Sequence, residues 1–396
     1  MYDVVIVGAG ASGLMCASTL IHDNSKLKVL LLEKNDKIGK KLSLTGNGRC
    51  NLGNLNKDIL NYNSNGDLKR FEDDIKESLY LNYLKDFGIY IKEENNLLYP
   101  YSNQAISVVK SFERYLKDKK VDIKYDYVVT NISKENNNFI INNDIKCKAL
   151  VIATGGMSYP KTGSTGDGYN LVKKYHNITK LFPSLVSLIS DYKYLKDLSG
   201  VRIDANLKLI CDDKVKEEEN GQLQFTNYGI SGICTFNISR NVKEYLESKK
   251  SVYVKTNLAP NINDKDFISF IRKFNNYRIE EALSNVFNNK LSNVIAKDLG
   301  ILGKRVKTLD SIDNIIEKVH NFKINIIDTK DYNSAQVTKG GVNLDELKDS
   351  LESKKCKGMY IIGEVLDVDG KCGGYNLSWC FTSALIAAKD IIDKKI

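Results

Sequence analysis

The chain has 396 residues, 42% hydrophobic and 27% charged, with a formal charge of +9. That length allows two or three domains, and no apolar run approaches the roughly 18 residues of a membrane span, so no membrane partner is expected. Lys and acidic residues alternate along most of the chain, as in Lys193 to Asp197 and Lys214 to Glu219, so the charge reads as a solvated surface and no nucleic-acid partner is expected.

The first element is the short apolar run Val4 to Val7, the pattern of a strand buried on both faces. Gly8-x-Gly10-x-x-Gly13 follows at once, and Leu14, Ala17 and Ile21 then recur at helical spacing. Strand, glycine turn and helix in this order form a dinucleotide fingerprint. Gly8 permits the tight turn, Gly10 lets a pyrophosphate approach the backbone, and Gly13 lets helix and strand pack. The run Val29 to Leu32 ends in Glu33, 20 residues beyond Gly13, where a carboxylate can bond an adenosine ribose. The apolar start could pass for an export signal. Asp3 stands in place of a basic leader and the glycines occupy the would-be apolar core. Without an export signal the eight Cys, none in a C-x-x-C pair, are expected as reduced thiols of a cytoplasmic protein. The three His lie far apart, so no metal site is expected.

Leu42 to Asn51 holds too many glycines for a helix and too few apolar residues for a core strand, and there Arg49 and Asn51 can serve a ligand. The pattern predicts a helix over Leu68 to Phe87, an extended Leu98 to Tyr101, and a helix capped by Ser102 or Asn103 with the stripe Val109, Phe112 and Leu116. The β-prone pieces from Val121 to Ile141 read as a β-meander crossover. Ala149 to Ala153 is a second buried strand, ending in Thr154-Gly155-Gly156. The loop Met157 to Gly168 is crowded with glycines and hydroxyls, and a helix resumes from Tyr169.

From Val186 to Val254 short alternating runs suggest a small β-barrel or sandwich. Asp264 to Val319 turns helical, and Lys323 to Ile327 returns to strand. Tyr360 to Ile362 is a third buried strand, ending in Gly363-Glu364, and Gly373-Gly374 precedes a helix striped by Phe381, Ala384, Leu385 and Ala388. A glycine-rich strand end so late in the chain argues for one long ligand, an extended FAD. The N-terminal fingerprint would hold its ADP half, and Glu364 would bond the ribityl hydroxyls. The helix starting near Asn376 would direct its positive end at the flavin pyrimidine edge.

These blocks, with Thr45-Gly46-Asn47-Gly48-Arg49-Cys50-Asn51, Ala153 to Gly163, Val337 to Val342 and Gly363 to Gly370, resemble the bacterial NAD(P)/FAD-dependent oxidoreductases of the aminoacetone-oxidase-like type. That family includes the bile-acid-inducible flavoprotein, a 3-dehydro-bile acid Δ4,6-reductase. The likeness runs from the first residues to the last helix. It implies non-covalent FAD and an α/β fold: a doubly wound FAD-binding Rossmann-like domain with an inserted β-barrel and a small helical domain. The expected boundaries are 1–184 and 337–396 for the FAD domain, 185–258 and 322–336 for the barrel and its return strand, and 259–321 for the helices. By resemblance Gly8, Gly10, Gly13, Glu33, Lys34, Arg49, Asn51, Glu364 and Asn376 contact FAD. Ala11, Ser12, Lys41, Gly48, Val129, Thr154, Gly155, Gly363, Asp369, Gly374 and Leu377 complete the candidate cofactor set. Cys372 departs from the pattern, where a small polar residue such as Thr is expected. Cys50 reads as a packing residue beside the flavin.

The expected activity is hydride transfer through flavin N5 to or from a small organic substrate, of the enone, 3-oxo-Δ4 steroid or amine kind. NAD(P)H would be a transient electron donor, since no second fingerprint provides a dedicated nicotinamide domain. A flavin-dependent RNA-modifying protein and a flavin redox sensor are the alternatives. The substrate is expected over the flavin ring, between the FAD domain and the inserted parts. No His lies in the loops expected there, which leaves Tyr159 and Tyr375 as candidate proton donors.

Overall fold

The computed structural model describes residues 1–395. The chain forms two compact units: Met1–Pro183 together with the chain from Ala335 onward, and Ser184–Ser334. Each has its own apolar core.

In the first unit the apolar runs become strands because burial on both faces removes them from water. Tyr2–Val7, Val29–Leu32 and Met359–Ile361 are buried along most or all of their length. Tyr2–Val7 lies parallel between Val29–Leu32 and Ile145–Ile152, with Val5 opposite both Leu30 and Leu150. The C-terminal half of Ile145–Ile152 pairs in parallel with Met359–Ile361, and its N-terminal half pairs antiparallel with Asn138–Ile141. The sheet therefore brings the first, middle and last buried strands of the chain side by side. The helices Ala11–Asp23 and Tyr375–Asp393 are apolar around most of their circumference, and Ser12–Ile21 is buried without a break.

Several local expectations change. Asp122–Lys124 leaves the expected meander and joins the sheet edge in parallel with Val29–Leu32, while Ile132–Glu135, Asn138–Ile141 and the start of Ile145–Ile152 run antiparallel in succession. The expected helix over Leu68 to Phe87 breaks into Glu72–Glu77 and Tyr80–Asp86, because Ser78 adopts a left-handed conformation (φ 51°). The helix Ala105–Asp118 begins after Gln104, and neither Ser102 nor Asn103 caps it by side chain. Part of the glycine-rich stretch forms the 3₁₀ segment Leu42–Gly48, interrupted at Thr45 to Asn47. Polar and glycine residues there cannot sustain regular helix.

The second unit contains a closed barrel of six strands in the order Leu188–Ser190, Gly229–Ser231, Lys214–Phe225, Arg202–Cys211, Val252–Asn257 and Phe322–Thr329. The helices Asp264–Arg272, Ile279–Leu283, Asn289–Asp298 and Asp313–His320 belong to the same unit. Their buried residues Phe267, Ile271, Leu291 and Ile315 share one core with the barrel's Leu207, Val254 and Phe322.

Candidate functional site

The three glycine-rich strand ends, far apart in sequence, meet at one edge of the sheet. Gly8 has φ 106°, and a methyl there would lie 2.5 Å from the Ala153 carbonyl oxygen. A methyl on Gly13 would overlap the Gly8 carbonyl oxygen, so helix and strand approach at a distance only glycine permits. Gly363 abuts the Ser12 hydroxyl, and its N–H donates to Ser383 Oγ at 3.0 Å. Gly10, by contrast, faces open space. Gly10 precedes the helix Ala11–Asp23 without a side-chain cap, so the free N–H groups of the first turn are available to an anion. Thr154 Oγ1 is buried without a partner, and Gly155 (φ 73°) carries the chain away from it.

Glu33 is 7% exposed. Its Oε2 accepts from the Ala9 N–H at 2.9 Å, and its Oε1 accepts from Asn35 N (2.9 Å) and Nδ2 (2.6 Å). The carboxylate is thus fixed against the glycine turn. The Tyr127 N–H donates to the Glu33 carbonyl at 2.9 Å, which brings the segment carrying buried Val129 alongside. Lys34 Nζ donates to Thr165 Oγ1 (2.6 Å) and Asp167 Oδ2 (2.5 Å). Burial pulls the Asp167 carboxyl up, yet the bonds from Lys34 and Thr165 outweigh it and hold the group below the usual carboxylate range.

Glu364 is the centre of a second network. Lys41 Nζ donates to its Oε2 at 2.7 Å, while Ser158 Oγ (2.9 Å) and the Thr338 N–H (3.0 Å) donate to its Oε1. Lys41 also donates to Ser158 Oγ at 2.5 Å. Four segments distant in sequence therefore meet on one carboxylate. Ser158, Thr338, Ser383 and Asn35 were not singled out from the sequence. The hydroxyl-rich loop was the only signal for Ser158, because side-chain partners across hundreds of residues leave no local pattern.

The remaining candidates divide. Asn51 donates through Nδ2 to Gly53 O (2.7 Å) and Leu98 O (3.2 Å), and its Oδ1 accepts from the Gly374 N–H (3.2 Å) at the start of the last helix. Asn376 is bound to the preceding turn: its Oδ1 accepts from the Gly370 N–H and its Nδ2 donates to Gly370 O, both at 2.9 Å. Asp369 is buried and pairs with Asn63 in a two-residue strand, and Leu377 is half-buried. Gly48 (φ 83°) lies in the exposed turn before Arg49. Arg49 itself is committed to Glu94 Oε2 (2.7 Å) and Asn103 Oδ1 (3.0 Å) and lies over the Tyr99 ring at 4.2 Å. Tyr375 is 6% exposed and packs edge-on against Tyr62 at 5.5 Å. Tyr159 is 43% exposed and left-handed (φ 58°), an outlier for a bulky residue. Cys50 is buried, and burial pushes its thiol up to about 12.

The open face at Gly10, the uncapped helix, the buried carboxylate of Glu33 and the orphaned Thr154 hydroxyl fit the ADP half of FAD. When bound, that cofactor supplies hydride-transfer chemistry.

Comparison with known proteins agrees. The family described as "HI0933-like protein Rossmann domain" matches residues 2–390. The chain is 31% identical to the 3-dehydro-bile acid Δ4,6-reductase of Clostridium scindens, over 98% of each chain. It is 28% identical to the ribosomal RNA dihydrouridine synthase of Escherichia coli, over 100% of this chain and 99% of that one. Among solved structures, 3-ketosteroid Δ1-dehydrogenase from Sterolibacterium denitrificans superposes with a TM-score of 0.53 at 11% identity, covering 99% of both chains. A flavocytochrome c3 fumarate reductase gives 0.51 at 12% identity, over 99% of this chain and 78% of that one. The last two share the fold. The sheet that joins three glycine-rich strand ends and the full-length family match lead to one conclusion: this chain belongs to the HI0933-like Rossmann family of FAD-binding oxidoreductases.

Proposed function

We propose that this protein is an FAD-dependent reductase of carbon–carbon double bonds conjugated to a carbonyl. The observation that carries the reading is the meeting of three strand ends with Glu33, combined with what two full-length relatives are named for. A Δ4,6 system beside a 3-keto group and the pyrimidine ring of uridine share one feature. In each, hydride can add at the carbon β to a carbonyl and a proton at the α carbon. The relative at 31% identity favours a small enone as substrate.

This chain's own groups divide the work. Glu33 and the first turn of the helix Ala11–Asp23 hold the ADP half. Lys41, Ser158 and Thr338 fix the Glu364 carboxylate, and Glu364 orients the hydroxylated middle of the cofactor. Tyr159, solvent-exposed and held in a left-handed conformation beside Ser158, delivers the proton. Tyr375, packed on Tyr62, shapes the wall. NADH or NADPH serves as a transient donor.

Anaerobic addition of NADH or NADPH to the purified yellow protein, followed at the flavin band, tests the donor. Reoxidation by a 3-oxo-Δ4 steroid then tests the acceptor. Reoxidation by oxygen alone, with every enone inert, sinks the reading.

A second reading is favoured by the two relatives named as ribosomal RNA dihydrouridine synthases, at 28% and 27% identity over nearly the whole chain. On it, the same hydride and proton go to a uracil ring within RNA. A gain of two mass units in uridine after incubation with RNA and donor is the expected signature.

A further inference from the structure

The second unit gathers cations that the sequence scatters. The helix Asp264–Arg272 runs into the segment 273–278, which lies antiparallel to 304–307. The Val306 N–H donates to Tyr277 O (3.0 Å), the Ile279 N–H to Lys304 O (2.9 Å) and the Lys307 N–H to Asn275 O (3.0 Å). Arg272, Lys273, Arg278, Lys304, Arg305 and Lys307 are all exposed on this edge. Among the described residues none of the six is held in an ion pair, and Lys307 Nζ donates to a neutral partner, Asn276 Oδ1, at 3.0 Å.

Arg278 and Arg305 are direct cross-strand partners. Side chains so placed have Cβ atoms about 5 Å apart, and like charges there destabilise the pairing. Of the nearby carboxylates, Glu281 Oε2 accepts from the Arg278 N–H (2.9 Å) and Glu280 Oε2 from the Gly303 N–H (3.0 Å), and the six cations outnumber the acids of 272–281 and 303–310, which are Glu280, Glu281 and Asp310. Tyr277, 57% exposed and edge-on to Phe274, lies among the cations. Guanidinium forks with an exposed aromatic suit a chain of phosphates that carries stackable bases.

We propose that this edge of the second unit is a docking surface for the phosphate backbone of RNA, a proposal that rests on the second reading above. The edge lies outside the cofactor-binding unit, so its neutralisation leaves FAD binding and reduction by NAD(P)H unchanged.

The test uses the full-length flavoprotein and a fluorescein-labelled RNA hairpin with a uridine-rich loop, followed by anisotropy across a salt series. Arg278→Gln/Arg305→Gln/Lys307→Gln is expected to weaken binding tenfold to a hundredfold at about 0.1 M salt. It is also expected to lower the salt slope by about 2, near 0.7 for each phosphate left without its cation. Tyr277→Ala should weaken binding with the slope unchanged. Flavin content and the melting curve verify folding; if the triple variant does not fold, Arg305→Gln alone carries the test with a slope change of about 0.7. Wild-type binding matched by the variants, in affinity and slope, overturns the surface and leaves the RNA reading standing. A wild-type protein that reduces enones but neither binds nor modifies RNA overturns both. Stronger binding to phosphatidylglycerol vesicles than to RNA assigns the edge to a lipid surface and overturns the proposal.

Discussion

At the scale of single residues, Glu33 and Tyr159 carry the sharpest expectations. Glu33 is braced by three protein donors, so Glu33→Gln sets an amide NH2 against at least one of them and loses the charged acceptor for a ribose hydroxyl; a melting curve of the apoprotein separates the two effects. FAD affinity is then expected to fall by about 1.5–3 kcal/mol, on the order of tenfold to a hundredfold. Titration of the apoprotein with FAD measures it, and equal affinity refutes the ribose role. Tyr159→Phe should retain FAD and be reduced normally by NAD(P)H. Its reoxidation by substrate should slow by roughly 10²–10⁴-fold, the range for loss of a general acid. Tyr375→Phe, by contrast, should reoxidise at close to the wild-type rate, since its ring packs on Tyr62. Stopped-flow traces of both variants separate the two tyrosines, and a wild-type rate in Tyr159→Phe makes solvent the proton source.

At the scale of elements, the packing of the first strand on the first helix depends on Gly13, whose place leaves no room for a methyl beside the Gly8 carbonyl. Gly13→Ala should cost about 1–3 kcal/mol of stability, the range for overpacking, and lower FAD content on purification. A wild-type melting curve and full flavin content would show that the turn can shift. The far end of the same unit is tied by Glu352, which is buried and accepts from Lys348 Nζ (2.6 Å), the Gly358 N–H (2.7 Å) and Lys394 Nζ (3.0 Å). Burial alone would raise this carboxyl, but Lys348, Gly358 and Lys394 bring it down to about 2 from the ordinary 4.5. A depressed carboxyl contributes stability that is present above its unfolded pKa and lost as pH falls through its folded one. Melting temperature should therefore drop between about pH 4.5 and 2, and Glu352→Gln should be less stable at neutral pH with a flatter profile in that window.

For the whole molecule, two cores imply two cooperative transitions. Saturating FAD at about 100 times its dissociation constant should stabilise the cofactor-binding unit by about 2.7 kcal/mol and move only its transition in calorimetry. A single transition that moves as one would show that the units unfold together. The fold itself was largely legible. Apolar runs leading into glycines marked the three central strands Tyr2–Val7, Ile145–Ile152 and Met359–Ile361, since a strand buried on both faces needs continuous hydrophobicity. The alternation around Ile123 marked the Asp122–Lys124 strand, but its parallel pairing with Val29–Leu32 was missed, because alternation does not say which neighbour a strand joins. The broken helix at Ser78 was missed because a left-handed serine has no sequence signature.

The sequence by itself determined the cofactor class. A strand, three glycines at fixed spacing, a helix and an acid 20 residues on form a local pattern, and the geometry of one β-turn-α unit dictates each of its residue types. The tertiary structure alone decided which side chains share a site. It brought Lys41, Ser158 and Thr338 onto Glu364, gave Arg49 to Glu94 and Asn103, buried Tyr375 against Tyr62, and set Arg278 opposite Arg305. Such partners are joined by packing across the chain, and no spacing along the chain encodes them.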